Sequence, residues 1–159
     1  RIGEVAALQL VDLFLGEEYP RLVVRGKWSR ERGVYLSRQA EMALQEYLAE
    51  RPTCKSEFVF LSYLEKGLST TAIHDRLLKY REEAGIQITA HRLRHSFAND
   101  LLNADAPITS IQKLMGHRWI ESTQTYVMAN DKQVCADYYA ACAKLEGWSY
   151  PTGGLYASA

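Results

Sequence analysis

The chain has no net charge and no long apolar run, and these two absences narrow the classes of function that fit it. Its 159 residues contain 19 lysines and arginines against 19 aspartates and glutamates, whereas nucleic-acid-binding domains are usually basic. No apolar run approaches the ~18 residues that a membrane-spanning helix needs. The first residues also lack the pattern of a secretory signal. We therefore expect a cytoplasmic protein without a membrane partner.

Cysteine is scarce and unpaired. The three cysteines, Cys54, Cys135 and Cys142, are odd in number and lack the close spacing of metal ligands, so we expect free thiols. Hydrophobic residues make up 47% and charged residues 24%, a composition typical of a globular protein. We expect one domain over residues 1–148 and a flexible tail over 149–159, where Pro151 and Gly153-Gly154 favour a loose end.

Hydrophobic periodicity predicts an α+β fold that is mostly α-helical with a small antiparallel β-sheet. The residues from Ile2 to Leu8 favour a helix, and Ser69 and Gly85 are suited to cap the two ends of another. Pro107 and Gly116 are suited to begin and end a short one. The predicted strands are 21–25, 33–37 and 58–61, and the other predicted helices are 38–50, 69–84, one carrying His91 to Leu102, 107–114 and 131–146.

Positive charge is concentrated in one segment although the whole chain is neutral. Between Arg21 and Arg32 there are five basic residues against the single acid Glu31. Such a strip can follow a phosphate backbone, and we take Arg25, Arg30 and Arg32 as candidate backbone contacts. The alternative is a solvated hairpin with no ligand.

Tyr126 lies nine residues after His117 and is the most informative residue of the chain. A phenol has an unperturbed pKa of about 10, so ionising it at neutral pH costs roughly 4 kcal/mol and requires cationic neighbours. His91, Arg94 and His95 supply them at helical spacing i, i+3 and i+4 on one face. This constellation is typical of a tyrosine that attacks a phosphodiester.

The order of these motifs resembles that of the catalytic domain of the tyrosine recombinases, or phage-integrase family. In that family a Gly-Lys on a β-hairpin is usually followed by a second glycine, where this chain has Trp28. The resemblance starts at the first residue, so we expect an N-terminally truncated catalytic domain. The matching positions are Arg1-x-x-Glu4, Gly26-Lys27, His91-x-x-Arg94-His95, Met115-Gly116-His117 and Tyr126, with 23 residues from Arg94 to His117.

The resemblance implies a role for each matching residue. Tyr126 would attack the scissile phosphorus and form a 3′-phosphotyrosyl intermediate, so that rejoining needs neither a metal, nor a cofactor, nor an external energy source. Arg1 and Arg94 would hold the non-bridging oxygens, and Lys27 would protonate the leaving 5′ oxygen. His91 and His117 would contact the phosphate or accept the phenolic proton. The implied function is a site-specific recombinase or integrase of a mobile element.

Two other interpretations remain open. The chain could be a non-catalytic DNA-binding or assembly module, a remnant of an integrase. It could also be a metal-dependent nuclease that uses His91, His95 and His117, since histidines at i and i+4 can share a metal. Otherwise His74 and His95 are expected to be structural.

The implied partner is double-stranded DNA, together with further copies of the chain. The final predicted helix carries an apolar stripe at alternating four- and three-residue spacing, which is either core or a docking surface. In the resembled family a C-terminal segment docks on a neighbouring protomer, so the resemblance implies a tetramer on DNA that uses this helix. The residues of the stripe are Val134, Tyr138, Ala141, Leu145 and Trp148.

Overall fold

The computed structural model describes residues 1–26, 31–116 and 131–147, and the chain divides into two compact units, residues 1–95 (unit 1) and 96–159 (unit 2). Helices predominate and one small antiparallel sheet accompanies them, so the expected α+β fold class is confirmed. Across these described ranges, no helix combines the length and the apolar character that crossing a membrane requires.

The sheet belongs to unit 1 and has three antiparallel strands in the order β1-β2-β3. The predicted strand 21–25 is confirmed as β2, while β3 begins two residues before the predicted 33–37 because Glu31 pairs with Arg25 and Arg32 with Val24. The two-residue strand β1 was not predicted. The strands are β1 Leu13–Phe14, β2 Arg21–Arg25 and β3 Glu31–Tyr35.

Four helices lie wholly or partly in unit 1, and their ends agree with the capping signals in the sequence. The Ser37 hydroxyl accepts a hydrogen bond from the Ala40 amide, and the Ser69 hydroxyl accepts one from the Ala72 amide. Gly85 ends the third helix with φ 64°, a left-handed conformation that costs glycine little. The helices are α1 Ile2–Ala6, α2 Arg38–Glu50, α3 Thr70–Ala84 and α4 Ala90–Asn103.

The predicted strand 58–61 is wrong. Phe58 forms an isolated bridge with Gln9, and Leu61 forms another with Gly67. Because the two ends of this segment pair with different partners, no continuous ladder develops. The segment is nevertheless central, since Val59 is fully buried.

The core of unit 1 forms where the sheet meets the segment after α2. Leu8, Val24 and Val59 are buried together, and Tyr47 of α2 packs beside them and donates a hydrogen bond to the Val59 carbonyl oxygen at 3.2 Å. This core fixes the position of the β2–β3 hairpin relative to α1, because Leu8 follows α1 directly and Val24 lies in β2.

Unit 2 is built around two packed helices, α5 Ile108–Met115 and α6 Asp131–Glu146. The buried Ser110 hydroxyl of α5 donates a hydrogen bond to the Asp137 carboxylate of α6. Gly116 ends α5 with φ 62°. Predicted bounds for both helices are confirmed to within a residue.

The apolar stripe of α6 is largely core. Val134, Tyr138 and Ala141 are buried, whereas Leu145 in the last turn is 51% exposed. Trp148 lies outside the described residues. The first three positions of the stripe therefore pack within the chain, and of its described positions only Leu145 offers an apolar side chain to a partner.

Candidate functional site

The candidate site is organised around one buried carboxylate, that of Glu4 in α1. Glu4 is only 9% exposed. Arg32 of β3 donates one hydrogen bond to each carboxylate oxygen, at 2.7 Å to Oε1 and 3.0 Å to Oε2. Arg1 donates from its guanidinium to Oε1 at 3.1 Å and from its main-chain nitrogen to Oε2 at 3.1 Å. Two arginines from separate elements thus share a single acid.

This environment keeps Glu4 ionised. Burial by itself would raise the pKa of the carboxyl, but hydrogen bonds and positive charge from Arg32 and from the Arg1 α-amino group outweigh it and lower the pKa to about 2. At neutral pH the carboxylate therefore carries a full negative charge and can orient both guanidiniums.

Arg94 of α4 brings a third guanidinium to the same cluster. Burial lowers its pKa first, and the positive charges of Arg1 and Arg32 lower it further, with only the Glu4 carboxylate opposing them. Three guanidiniums therefore face one carboxylate. An arrangement with surplus positive charge and planar donors is suited to bind a phosphate anion. We call Arg1, Glu4, Arg32 and Arg94 the arginine cluster.

The start of α4 places the histidine motif. The Thr89 hydroxyl accepts a hydrogen bond from the Arg92 amide at 3.1 Å and so caps the helix just before His91. His91 and His95 then lie one turn apart, with their Nε2 atoms 2.9 Å from each other and their rings at 82°. One of these two nitrogens must donate a proton and the other must accept it, so both rings cannot be fully protonated while the contact persists.

A second arginine–carboxylate pair lies at the same end of the hairpin, where Arg25 is opposite Glu31 and Arg32 is opposite Val24 in the next register pair. The buried Asp12, which ends the 3₁₀ turn Leu10–Asp12, contacts Arg25 of β2 at 2.8 Å and accepts the Gln9 amide at 3.0 Å. Arg25 also contacts Glu31 at 3.1 Å. Here one guanidinium faces two carboxylates, the reverse of the charge balance around Glu4.

The structure brings together some of the predicted site residues. Arg1 and Arg94 belong to one cluster, as the resemblance implies, and His91 lies one turn before Arg94 on the same helix. Arg25 and Arg32, the candidate backbone contacts, are both paired with carboxylates. The remaining predicted site residues, Lys27, Arg30, His117 and Tyr126, lie outside the described residues.

Sequence reasoning missed the link from Arg32 to Glu4. Arg1 and Glu4 are three residues apart, a spacing that favours an ion pair on a helix. Arg32 is 28 residues from Glu4, and no local pattern connects them. The described ranges contain no group of three or more histidine, cysteine or acidic side chains arranged to hold a metal ion. The nuclease interpretation also needs His117, which is not among them.

Comparison with known proteins gives consistent results. The chain matches the model of the phage integrase family over residues 1–133. It is 39% identical over 158 residues to tyrosine recombinase XerC of Pelotomaculum thermopropionicum, covering 92% of this chain and 51% of that protein. It is 37% identical over 134 residues to tyrosine recombinase XerD of Listeria monocytogenes, covering 79% and 44%.

Solved structures show the same similarity. The crystal structure of XerA recombinase aligns with a TM-score of 0.70 at 28% identity over 94% of this chain and 54% of that one. XerH recombinase bound to its palindromic difH substrate, in a post-cleavage complex, aligns with a TM-score of 0.62 at 27% identity over 74% and 35%. The chain spans about half the length of the curated relatives it matches.

Proposed function

Because the chain belongs to the phage integrase family, we propose that it is the strand-cutting domain of a tyrosine-type site-specific DNA recombinase. The observation that carries the proposal is the arginine cluster, in which Arg1 and Arg94 share one electrostatic environment with a surplus of positive charge. Such a cluster is suited to the charge that accumulates on phosphate oxygens in the transition state of phosphoryl transfer.

In the proposed mechanism, the Tyr126 phenolate attacks the scissile phosphorus and the 5′ oxygen leaves with a proton from Lys27. The DNA stays attached through a 3′-phosphotyrosyl bond, so its energy is conserved for rejoining. Arg1 and Arg94 stabilise the non-bridging oxygens, and His91 and His117 contact the phosphate or take up the phenolic proton. No metal ion and no external energy source takes part.

Double-stranded DNA is the proposed partner, in keeping with the XerH complexes, which were solved with difH substrates. Arg25, Arg30 and Arg32 remain candidate backbone contacts, although Arg25 and Arg32 would each have to exchange a carboxylate for a phosphate. A cytoplasmic location accompanies this proposal.

The proposed activity is tested by covalent capture on nicked DNA. Sheared duplex DNA from the source organism and the difH duplex, both randomly nicked and radiolabelled, are incubated with the protein in excess chelator and resolved on a denaturing gel. We expect a labelled protein band from the wild type and none from Tyr126→Phe. Tyr63→Phe is the matched control, because Tyr63 is 93% exposed and far from any proposed site residue in the sequence.

Both this chain and a longer version with its upstream residues should be assayed. An adduct with both, or with the longer version alone, supports the tyrosine mechanism. Absence of an adduct from both versions on every duplex would favour the non-catalytic module. An adduct that survives in Tyr126→Phe, or cleavage that stops in chelator, would assign the chemistry to other residues.

We further propose that copies of the chain assemble on DNA as a tetramer through the end of α6, where Leu145 is exposed. Sedimentation of the protein with a duplex tests this. Leu145→Glu should reduce the assembly, whereas Leu102→Glu should not, since Leu102 of α4 is 49% exposed and offers a matched surface leucine. Equal behaviour of the two variants would contradict the proposed role of α6.

A further inference from the structure

The place of Arg32 in the basic strip suggests a side chain that faces a phosphate, but in the structure its guanidinium binds Glu4. Both terminal nitrogens of its guanidinium bind the Glu4 carboxylate, one on each oxygen, in the bidentate geometry that arginine favours. Its side chain is 21% exposed. Its Nε atom is buried and, among the described residues, has no hydrogen-bond partner. The guanidinium is therefore turned inward.

The Arg32–Glu4 contact joins two parts of unit 1 that the chain separates by 28 residues. Arg32 is held in register by β3, where it pairs with Val24 of the core strand β2. Glu4 belongs to α1, a helix of only five residues that has little stability of its own. Arg32, held in place by β3, therefore fixes the Glu4 carboxylate, and Glu4 in turn holds the Arg1 side chain.

We propose that Arg32 is a positioning residue for strand cutting, which holds the Glu4 carboxylate so that Glu4 in turn orients Arg1 toward the scissile phosphate. The inference rests on the proposed function, and it assigns Arg32 a role through Glu4 in place of a direct contact with the DNA backbone. The positive charge of Arg32 also neutralises the negative charge of Glu4, so that the positive charges of Arg1 and Arg94 remain available to the phosphate.

A phosphate-binding role and a positioning role of Arg32 predict different effects when the residue is replaced, the first on DNA affinity and the second on the rate of cutting. A residue that binds a backbone phosphate contributes to affinity, and its loss reduces the dependence of binding on salt by about one released ion. A residue that orients Arg1 contributes to the rate of cutting once DNA is bound, because misplacing a catalytic group lowers the rate on the order of 10²-fold.

The first experiment separates rate from affinity with Arg32→Gln, Arg32→Lys and the control Lys79→Gln. Lys79 is an exposed residue of α3, and its loss makes the same change in charge. We expect Arg32→Gln to lower the single-turnover rate of adduct formation at saturating DNA roughly 10- to 100-fold, with an unchanged salt dependence of binding. Arg32→Lys should be intermediate, since an ammonium cannot reproduce the bidentate contact. A loss of affinity with an unchanged rate would overturn the proposal.

The dependence of the adduct-formation rate on pH distinguishes a loss of positioning in Arg32→Gln from a general loss of folding. Glu4 faces Arg1, Arg32, Arg94 and the Arg1 α-amino group. Arg32 lowers the pKa of the Glu4 carboxyl and burial raises it, so the loss of Arg32 raises this pKa above its wild-type value. Arg32→Gln should therefore lose rate relative to the wild type as the pH falls. The double variant Arg32→Gln with Glu4→Gln should lack this acid limb.

A measurement without DNA keeps the inference separable from the proposed activity. Carboxyl ¹³C NMR of the whole chain should give Glu4 a pKa of about 2 in the wild type and in Lys79→Gln, and a higher value in Arg32→Gln. If neither this chain nor the longer version forms an adduct but this shift occurs, the proposed function fails while the coupling of Arg32 to Glu4 stands. An unchanged Glu4 titration in folded Arg32→Gln would overturn the inference whatever the activity.

Discussion

Glu4 and Asp12 are both buried acids paired with an arginine of the β2–β3 hairpin, but the charges around them are opposite. Glu4 is surrounded by Arg1, Arg32 and Arg94. Asp12 shares its single arginine, Arg25, with a second acid. Counting the residues that the structure describes, the first region carries surplus positive charge, whereas the second carries surplus negative charge.

Under the proposed function, this difference in charge separates a phosphate-binding site from a structural contact. A phosphate that approaches Glu4 meets three guanidiniums that share one carboxylate, whereas one that approaches Asp12 meets, among the described residues, one guanidinium that two carboxylates already share. The same pairing of residue types therefore serves two purposes. At Asp12 the ion pair joins the 3₁₀ turn to β2, and at Glu4, under the proposed function, the carboxylate orients donors for a phosphate.

The largest effect should follow from removing a guanidinium of the arginine cluster. Arg94→Gln is expected to lower the rate of covalent adduct formation by about 10³-fold, the usual order for loss of a group that stabilises transition-state charge. Quench-flow with labelled nicked DNA measures it, and Lys79→Gln provides the control. A loss of less than about threefold would remove Arg94 from the proposed chemistry and erase the contrast between the two regions.

The next effect is on stability in acid. The pKa of Glu4 is lowered from 4.5 to about 2 by folding, so its ionised form stabilises the native state above pH 4.5 and this stabilisation is lost as the pH falls toward 2. The contribution is on the order of 3 kcal/mol. Urea unfolding at several pH values should show a steeper acid loss in the wild type than in Glu4→Gln, and parallel curves would contradict it.

A direct comparison of the two acids should give a smaller difference in rate. Glu4→Gln is expected to slow adduct formation roughly 10- to 100-fold because Arg1 loses its anchor. Asp12→Asn should slow it far less, since Asp12 contacts none of the arginine cluster residues that are proposed to bind phosphate. Equal losses in the two variants would mean that both acids act only on the stability of the hairpin.

The smallest expected effect is on the free energy of unfolding, when the contact between Asp12 and Arg25 is weakened. Asp12→Asn keeps the size of the side chain but removes the charge that Arg25 contacts at 2.8 Å. We expect the free energy of unfolding at pH 7 to fall by roughly 1.5 kcal/mol, measured by urea titration. NMR should at the same time find the pKa of Glu4 unchanged, whereas a shift would show that the two regions are not independent.

Much of the fold was predictable because its signals are local. The apolar run of β2, the capping serine Ser69, and the terminal glycines Gly85 and Gly116 each act within a few residues, and the structure confirms them. The segment 58–61 failed as a strand because its pairing partners, Gln9 and Gly67, lie on either side of it in sequence and in different segments.

The candidate site likewise has a part that the sequence predicts and a part that it does not. The family resemblance implied that Arg1 and Arg94 act together, and in the structure both lie in the arginine cluster. Arg32 was assigned to a basic strip because only charge along the chain is visible in sequence. Its contact with Glu4 depends on the register of β3 against β2, which sets which arginine of the hairpin turns inward.

Mass spectrometry of the covalent adduct tests the central claim most directly. Trypsin releases residues 119–132 as one peptide after Arg118 and Lys132, and Tyr126 is its only tyrosine. After reaction with nicked duplex in chelator and nuclease digestion, we predict a nucleotide mass on this peptide, fragmenting at Tyr126. A nucleotide found on any other peptide, or on none in a protein that still cuts DNA, would contradict the tyrosine mechanism.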